Sequence, residues 1–455
     1  MQDQAIATSS GSKANWLMFL LPSLLGVFLF MAPIEYQDTI TIPIAVLAKS
    51  VQALFEGMLT AVVTFVIALT AVASILTKLL KPRAITENSF LNGLLNPSIV
   101  WFVVQQMGAV FVVMTFFGIG PKMIHDGATG GLVLNDLLPV LFSVFLFAGL
   151  LLPLLLNFGL LEFVGALFTR IMRPLFNLPG RSAVNCIASW LGDGSVGVLM
   201  TSKQYEGKIY TEREAAVIGT TFTAVSITFS LVVIAQVNLE HMFAPFYLTV
   251  CLAGLAAAVI VPRLPPLSWK KDQYIDGTDL TDDCEAVPAG KTVVGFGLEQ
   301  ALSKASEVKS LRSVVAEGVK NAVDMIFGVL PVVMAIGTVA LVIAEHTPVF
   351  SILGQPFIPF LELLQIPEAA AASETIVVGF ADMFLPSILA SGIESDLTRF
   401  VIAAMSVTQL IYMSEIGALI IGSKIPVKPW ELFMIFILRT LVTLPVIALM
   451  GHLFF

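Results

Sequence analysis

Two apolar stretches carry side chains that lipid-facing helices exclude. In residues 370–391, Ser373, Glu374 and Thr375 stand together and Asp382 follows; in residues 182–202, Asn185 and Asp193 occupy corresponding places. Further on, Thr408, Tyr412 and Glu415 recur at i, i+4 and i+7 with Gln409 beside them, and Arg439 interrupts the apolar run FMIFILRTLVTLPV. A charge at the centre of a membrane helix costs about 2.5–3.5 kcal/mol on the insertion scale. Carboxylates, amides and hydroxyls gathered at such depth suit binding of a cation or of the polar groups of a small solute. A buried arginine suits either a carboxylate of the same protein or an anionic group of a ligand.

Each of these residues also has a plain structural use. Glu374, with Ser373 and Thr375, can cap the amides of its own segment, and Asp193 and Asp382 can cap the half-helices that follow them. Capping is the reading preferred for the two aspartates; ligand or ion contact is preferred for Glu374. The hydroxyls of Thr220, Thr223 and Ser230, on one face of a helix, are expected to bond back to the preceding turn or to join helices. Glu415 needs a partner, and a Glu415–Arg439 pair would neutralise both buried charges.

The elements that must position these groups follow from composition. Hydrophobic residues make up 57% of the chain and charged residues 12%, against roughly 25% charged in soluble domains. Mean hydropathy is +0.92. Apolar runs of bilayer length recur, which indicates an all-α polytopic membrane protein; the strand alternation of a β-barrel is missing. Nine full spans are expected, near 16–34, 57–77, 98–118, 136–157, 214–237, 242–261, 323–345, 397–420 and 430–452. The first apolar run lacks a cleavage pattern and is read as a span that stays.

The stretches 182–202 and 370–391 are left over, and both are interrupted by acids and glycines. If both dip in and return, the basic clusters around Lys78–Arg83, Arg170–Arg181, Lys203–Arg213, Arg263–Lys271 and Lys424–Lys428 fall on one side. The positive-inside rule then places the N-terminus in the cytoplasm and the C-terminus outside. The segments LFNLPGRSAVNCIASWLGDGSVGVLMTS and LLQIPEAAAASETIVVGFADMFLPSILAS also align with a single gap, pairing Asn185 with Glu374 and Asp193 with Asp382. Two re-entrant hairpins entering from opposite faces constitute an inverted repeat, an arrangement typical of secondary transporters. The domains expected are scaffold helices over 1–135, a first repeat over 136–261, a loop over 262–320 and a second repeat over 321–455. Within the loop, DQYIDGTDLTDDCE is expected to be solvated and mobile, and LEQALSKASEVKSLRSVVAEGVKNAV to form one amphipathic helix on the cytoplasmic face.

The two aligned segments resemble the paired Gate modules of YjiH-type bacterial inner-membrane proteins. The module also occurs in concentrative nucleoside transporters, ferrous-iron transport protein B and spore maturation proteins. The resemblance extends from about Pro22 to the C-terminus. It implies a multi-pass inner-membrane, transporter-like protein without assigning a cargo. The function expected is secondary transport of a small polar solute, coupled to sodium or protons and without a cofactor. The alternative is a non-transporting Gate-family component of a heteromeric complex. Expected partners are the bilayer, the solute, and either further copies of the chain or a related Gate-family protein, not nucleic acid.

Other chemistries find little support. Cys186, Cys251 and Cys284 are too scattered for a disulfide framework or zinc site, and His125, His241, His346 and His452 lie near span ends. Ser195 has no histidine at membrane depth to activate it, so an enzyme is not expected. EAVPAGKT ends like a phosphate-binding loop, but Glu285 stands where its first glycine belongs.

Overall fold

In the computed structural model, residues 13–32, 34–36, 39–55, 57–191, 194–222, 225, 227–280, 291–308 and 310–455 are described. Among them, six helical stretches are long and apolar enough to cross a membrane: Leu59–Leu80, Ile99–Phe117, Lys122–Leu156, Glu240–Trp269, Leu311–His346 and Pro429–Phe454. The chain is a helical membrane protein. These six correspond to six of the nine runs expected. Of the other three, Asn15–Phe30 is a shorter apolar helix, and the runs 214–237 and 397–420 are each broken in the middle. One departure from all-α structure is a small antiparallel ribbon, Ile34–Tyr36 with Thr39–Thr41.

Local signals set the helix ends. Ile99–Phe117 stops at Gly118, whose φ of 63° puts it in the left-handed region that glycine enters without a Cβ penalty. Pro429–Phe454 starts with proline at its first position, and Glu431 accepts from the Lys428 amide at 2.7 Å. Between helices, small residues permit close approach, since packing rather than hydrophobic transfer holds membrane helices together. A Cβ at Gly108 would lie 2.0 Å from the Pro331 carbonyl oxygen, and one at Gly318 would lie 2.2 Å from that of Leu150.

The described residues of each leftover stretch form two helices. The first hairpin is Ser182–Leu191 with Gly194–Glu206, and the second is Ala369–Val378 with Leu385–Ala390. A broken helix follows each. After the first come Glu212–Thr221 and Ile227–Gln236; after the second come Asp396–Gln409 and Ile416–Gly422. A continuous apolar helix follows each broken one, Phe243–Ile260 and Pro429–Phe454.

The loop differs from expectation in two places. The expected single amphipathic helix is two, Val293–Ser306 and Leu311–Gly328, because Ser310 caps the second through the Ser313 amide at 3.2 Å. The first of these packs on Leu160–Phe176 through Gly297, whose Cβ would touch Ala166, and it is capped by Thr292, the last residue of the GKT motif. The front of the acidic run is held, not free: Lys208 pairs with Asp276 at 2.5 Å and Arg213 with Asp272 at 3.0 Å. Lys270, also from the loop, is buried against Glu431 at 2.9 Å. The remainder of the run, with Cys284 and Glu285, lies outside the described residues.

Candidate functional site

The second hairpin and the second broken helix form one unit. The Met413 and Ser414 amides donate to the Phe380 and Ala381 carbonyls, both at 2.8 Å. Ser414 Oγ adds a bond to Asp382 Oδ2 at 2.7 Å, while Asp382 Oδ1 accepts from the Phe384 amide at 2.8 Å. The amides that would continue the helix past Gln409 are thus given to the hairpin tip. Leu410 makes the turn, with φ at 60°. Irregular backbone is tolerated at membrane depth only when protein or a cavity satisfies it in this way.

This break corrects the expected common face of Thr408, Tyr412 and Glu415. The helix ends at Gln409, so i, i+4 spacing does not carry through. Tyr412 instead donates its hydroxyl to Glu415 Oε2 at 3.1 Å within the break. The break between Thr221 and Ile227 likewise separates Thr220 from Ser230; Thr220 bonds back to Ala216 at 2.7 Å, and Thr223 lies outside the described residues. Asp382 is a cap, as preferred from the sequence, but also the hairpin's tie to the break.

Glu374 stands in the middle of Ala369–Val378 on the exposed side, with Ala370 and Ala371, and makes no hydrogen bond or ion pair with the described residues. It does not cap the hairpin. Ser373 and Thr375 bond back to Ala370 and Ala372 at 2.7 and 2.8 Å. The residue at the N-terminal boundary is Glu368, in the left-handed region at φ 52°, whose carboxylate accepts from the Ser395 amide at 2.9 Å. Gln409 joins the hairpin to the last helix, donating to the Ile376 carbonyl at 3.1 Å and to Thr440 Oγ1 at 2.9 Å.

In the first hairpin, Asn185 is wholly buried. It donates to Thr201 at 3.1 Å and to Gln204 at 2.5 Å, and accepts from Tyr210 at 3.3 Å. These bonds tie the two arms and the following turn. Asp193 lies outside the described residues. The two hairpins therefore use their matched positions differently: Asn185 faces in, Glu374 faces out.

Arg439 is fully buried and does not pair with Glu415. Its Nε and Nη2 donate to the Thr408 carbonyl at 3.2 and 2.8 Å. That carbonyl lacks a helical partner because the helix stops one residue later, and a cation is favoured at a helix C-terminus. Arg439 thus caps the broken helix, and this competes with the expected ion pair. It also lines a cavity of about 340 Å³ shared by both breaks, to which Thr221, Phe222, Val225, Thr408 and Leu410 contribute. Arg439 Nη1 and Thr221 Oγ1 are buried without a hydrogen-bond partner among the described residues.

Sequence reasoning missed Thr221 and also the contact of Lys203, in the first hairpin, with Asp324 and Glu206. Lys203 and Asp324 are 121 residues apart, and no local pattern links them.

The Gate family model, described as nucleoside recognition, matches residues 138–240, a segment that holds the first hairpin and the first broken helix. An uncharacterized protein of Alkalihalophilus pseudofirmus is 52% identical over 444 residues, covering 98% of this chain and 96% of that protein. No solved structure matches. With that identity over nearly the whole of both chains, this protein belongs to the family of the Alkalihalophilus protein and carries a Gate domain across its first hairpin and broken helix.

Proposed function

We propose that this protein is a secondary transporter of a small polar solute across the bacterial inner membrane, driven by sodium or protons. In this reading the hairpins 182–202 and 370–391 are re-entrant, and the repeats 136–261 and 321–455 are inverted copies, each a YjiH-type Gate module. The N-terminus lies in the cytoplasm and the C-terminus in the periplasm. The scaffold helices over 1–135 and the loop over 262–320 complete the chain.

The observation that carries the reading is the docking of the second hairpin tip onto a helix break. Met413, Ser414 and Asp382 satisfy backbone that would be orphaned in lipid, and such broken helices commonly form solute and ion sites. Glu374, without a partner among the described residues, is the group left available to a coupling cation; Ser373, Thr375 and Asp382 belong to the same hairpin, and Asp193 is the sequence counterpart of Asp382 in the first repeat. Tyr412, Glu415, Gln409 and Thr408 supply further oxygens from the break.

The test is uptake into proteoliposomes under an imposed sodium or proton gradient, with labelled uridine, alanine, dialanine and lactate as probes. Gradient-dependent uptake of one of them, lost in Glu374→Gln, is the expected result. No uptake and no ligand-induced stabilisation in a folded sample would favour the alternative, a component that works only with a second Gate-family protein.

A further inference from the structure

We propose that the cavity between the two helix breaks binds a small carboxylate with an apolar body, held by Arg439 Nη1 and the Thr221 hydroxyl. This deepens the transport reading, and rests on it for the ligand's role as cargo.

Two residues that line the cavity, Thr221 before the first break and Arg439 in the last helix, each carry a buried polar atom without a partner among the described residues. Arg439, in the last helix, is wholly buried, and the Thr408 carbonyl engages only its Nε and Nη2. Nη1 is left without a partner, and so is Oγ1 of Thr221, at the end of Glu212–Thr221. Both residues line the same space. An unpaired buried polar group costs about 1–3 kcal/mol, and more when charged. Capping Thr408 explains two of the guanidinium's nitrogens; it does not explain the third or the retained charge.

No carboxylate among the described residues forms an ion pair with Arg439. In the proposed complex Arg439 Nη1 and the Thr221 hydroxyl turn to the ligand and supply one positive charge and two donors, which a carboxylate matches with its two oxygens. The remaining wall is largely apolar, with Phe222, Val250, Leu255, Val407 and Leu410 among its residues. The ligand's body must be apolar as well. At about 340 Å³ the space falls at the lower end of small-molecule pockets, which span about 300–1,000 Å³.

Depth separates a free solute from a lipid headgroup. Arg439 lies ten residues after Pro429 in a helix of 26 residues, roughly 15 Å along its axis at 1.5 Å per residue. That places it near the middle of a hydrocarbon layer about 30 Å thick, away from the phosphates of either leaflet.

The experiment is ligand binding to the purified full chain in detergent, by titration calorimetry and thermal unfolding. The probes are 3-methylbutanoate and phenylacetate, with their uncharged amides, inorganic phosphate and phosphatidylglycerol for comparison. The acids are expected to bind at least tenfold more tightly than the amides and to raise the unfolding temperature. Arg439→Gln should weaken acid binding at least tenfold. Because that variant also disturbs the Thr408 cap, Gly254→Leu provides a second arm. Gly254 lines the cavity and a Cβ there has no atom within 4 Å, so leucine fills the space and leaves the Arg439–Thr408 contact in place. It should abolish acid binding with unfolding unchanged in the absence of ligand. Equal binding of acid and amide, undiminished binding in both variants, or stronger effects of phosphate or phosphatidylglycerol than of the acids would overturn the proposal. Uptake of another solute without acid binding would remove this inference and leave the transport reading; acid binding without uptake of any probe would do the reverse.

Discussion

Ser414 Oγ donates to Asp382 Oδ2 at 2.7 Å, and through this contact the tip of one hairpin is fastened to the interruption of the helix after it. The same carboxylate caps the hairpin's second arm through the Phe384 amide. One side chain therefore sets both the turn of the hairpin and its seat.

Removing either end of this tie should be measurable. A hydrogen bond to a charged group contributes about 1.5–3 kcal/mol, so Ser414→Ala is expected to destabilise the protein by an amount in that range. Asp382→Ala should cost about 1 kcal/mol more, since it also removes the cap. Thermal unfolding in detergent checks this, and a Ser414→Ala protein as stable as the parent would contradict it.

The buried Lys270–Glu431 pair offers a contrast between breaking and replacing. Lys270 Nζ also donates to the Pro426 carbonyl at 2.7 Å, and both side chains are 8% exposed. Lys270→Met alone should cost about 3–5 kcal/mol, because it leaves the buried Glu431 carboxylate with the Lys428 amide but without its cation. Lys270→Met combined with Glu431→Leu should recover part of that loss. A double-mutant cycle on unfolding free energies distinguishes the two cases; a double variant worse than the sum of the singles would refute the argument.

Glycine positions separate close packing from open surface. Gly108→Ala pushes a methyl group into the Pro331 carbonyl, and overpacking of this kind costs about 1–3 kcal/mol. Gly93→Ala, in the helix Ser89–Leu95, meets no atom within 4 Å and should be neutral or stabilising by up to about 1 kcal/mol. The two unfolding temperatures, measured side by side, should move in opposite directions or differ by several degrees.

Acid should loosen the loop that follows Arg263. Asp276 is held well below the usual carboxylate range by the hydrogen bond from Lys208, and next by those from Thr278. Its folded value lies under its unfolded one, so its contribution is present above the unfolded value of about 3.9 and is lost as pH falls further. Limited proteolysis of residues 270–280 should accelerate in the wild type as pH drops through that window. In Asp276→Asn the rate should already be raised at neutral pH and vary less with acid.

Class and placement were legible in the sequence because they depend on local quantities. Chain hydropathy dictated membrane helices, and the acids and glycines within 182–202 and 370–391 set those two stretches apart, since such residues disfavour a continuous apolar helix. Asp382 was recognisable as a cap for the same reason: capping acts over two or three residues.

What only the tertiary structure decided are the partners and the breaks that create them. The apolar pattern runs unbroken through 397–420, yet the helix ends at Gln409 because Met413 and Ser414 give their amides to Phe380 and Ala381. That break frees the Thr408 carbonyl, and the freed carbonyl draws Arg439 away from Glu415. Glu374 faces outward because the other side of its helix packs on its neighbours, with Gly354 against the Ser373 carbonyl. A helix of suitable composition can face either way or break at several points. The choice lies with hydrogen bonds and contacts between residues far apart in the chain, which periodicity does not encode.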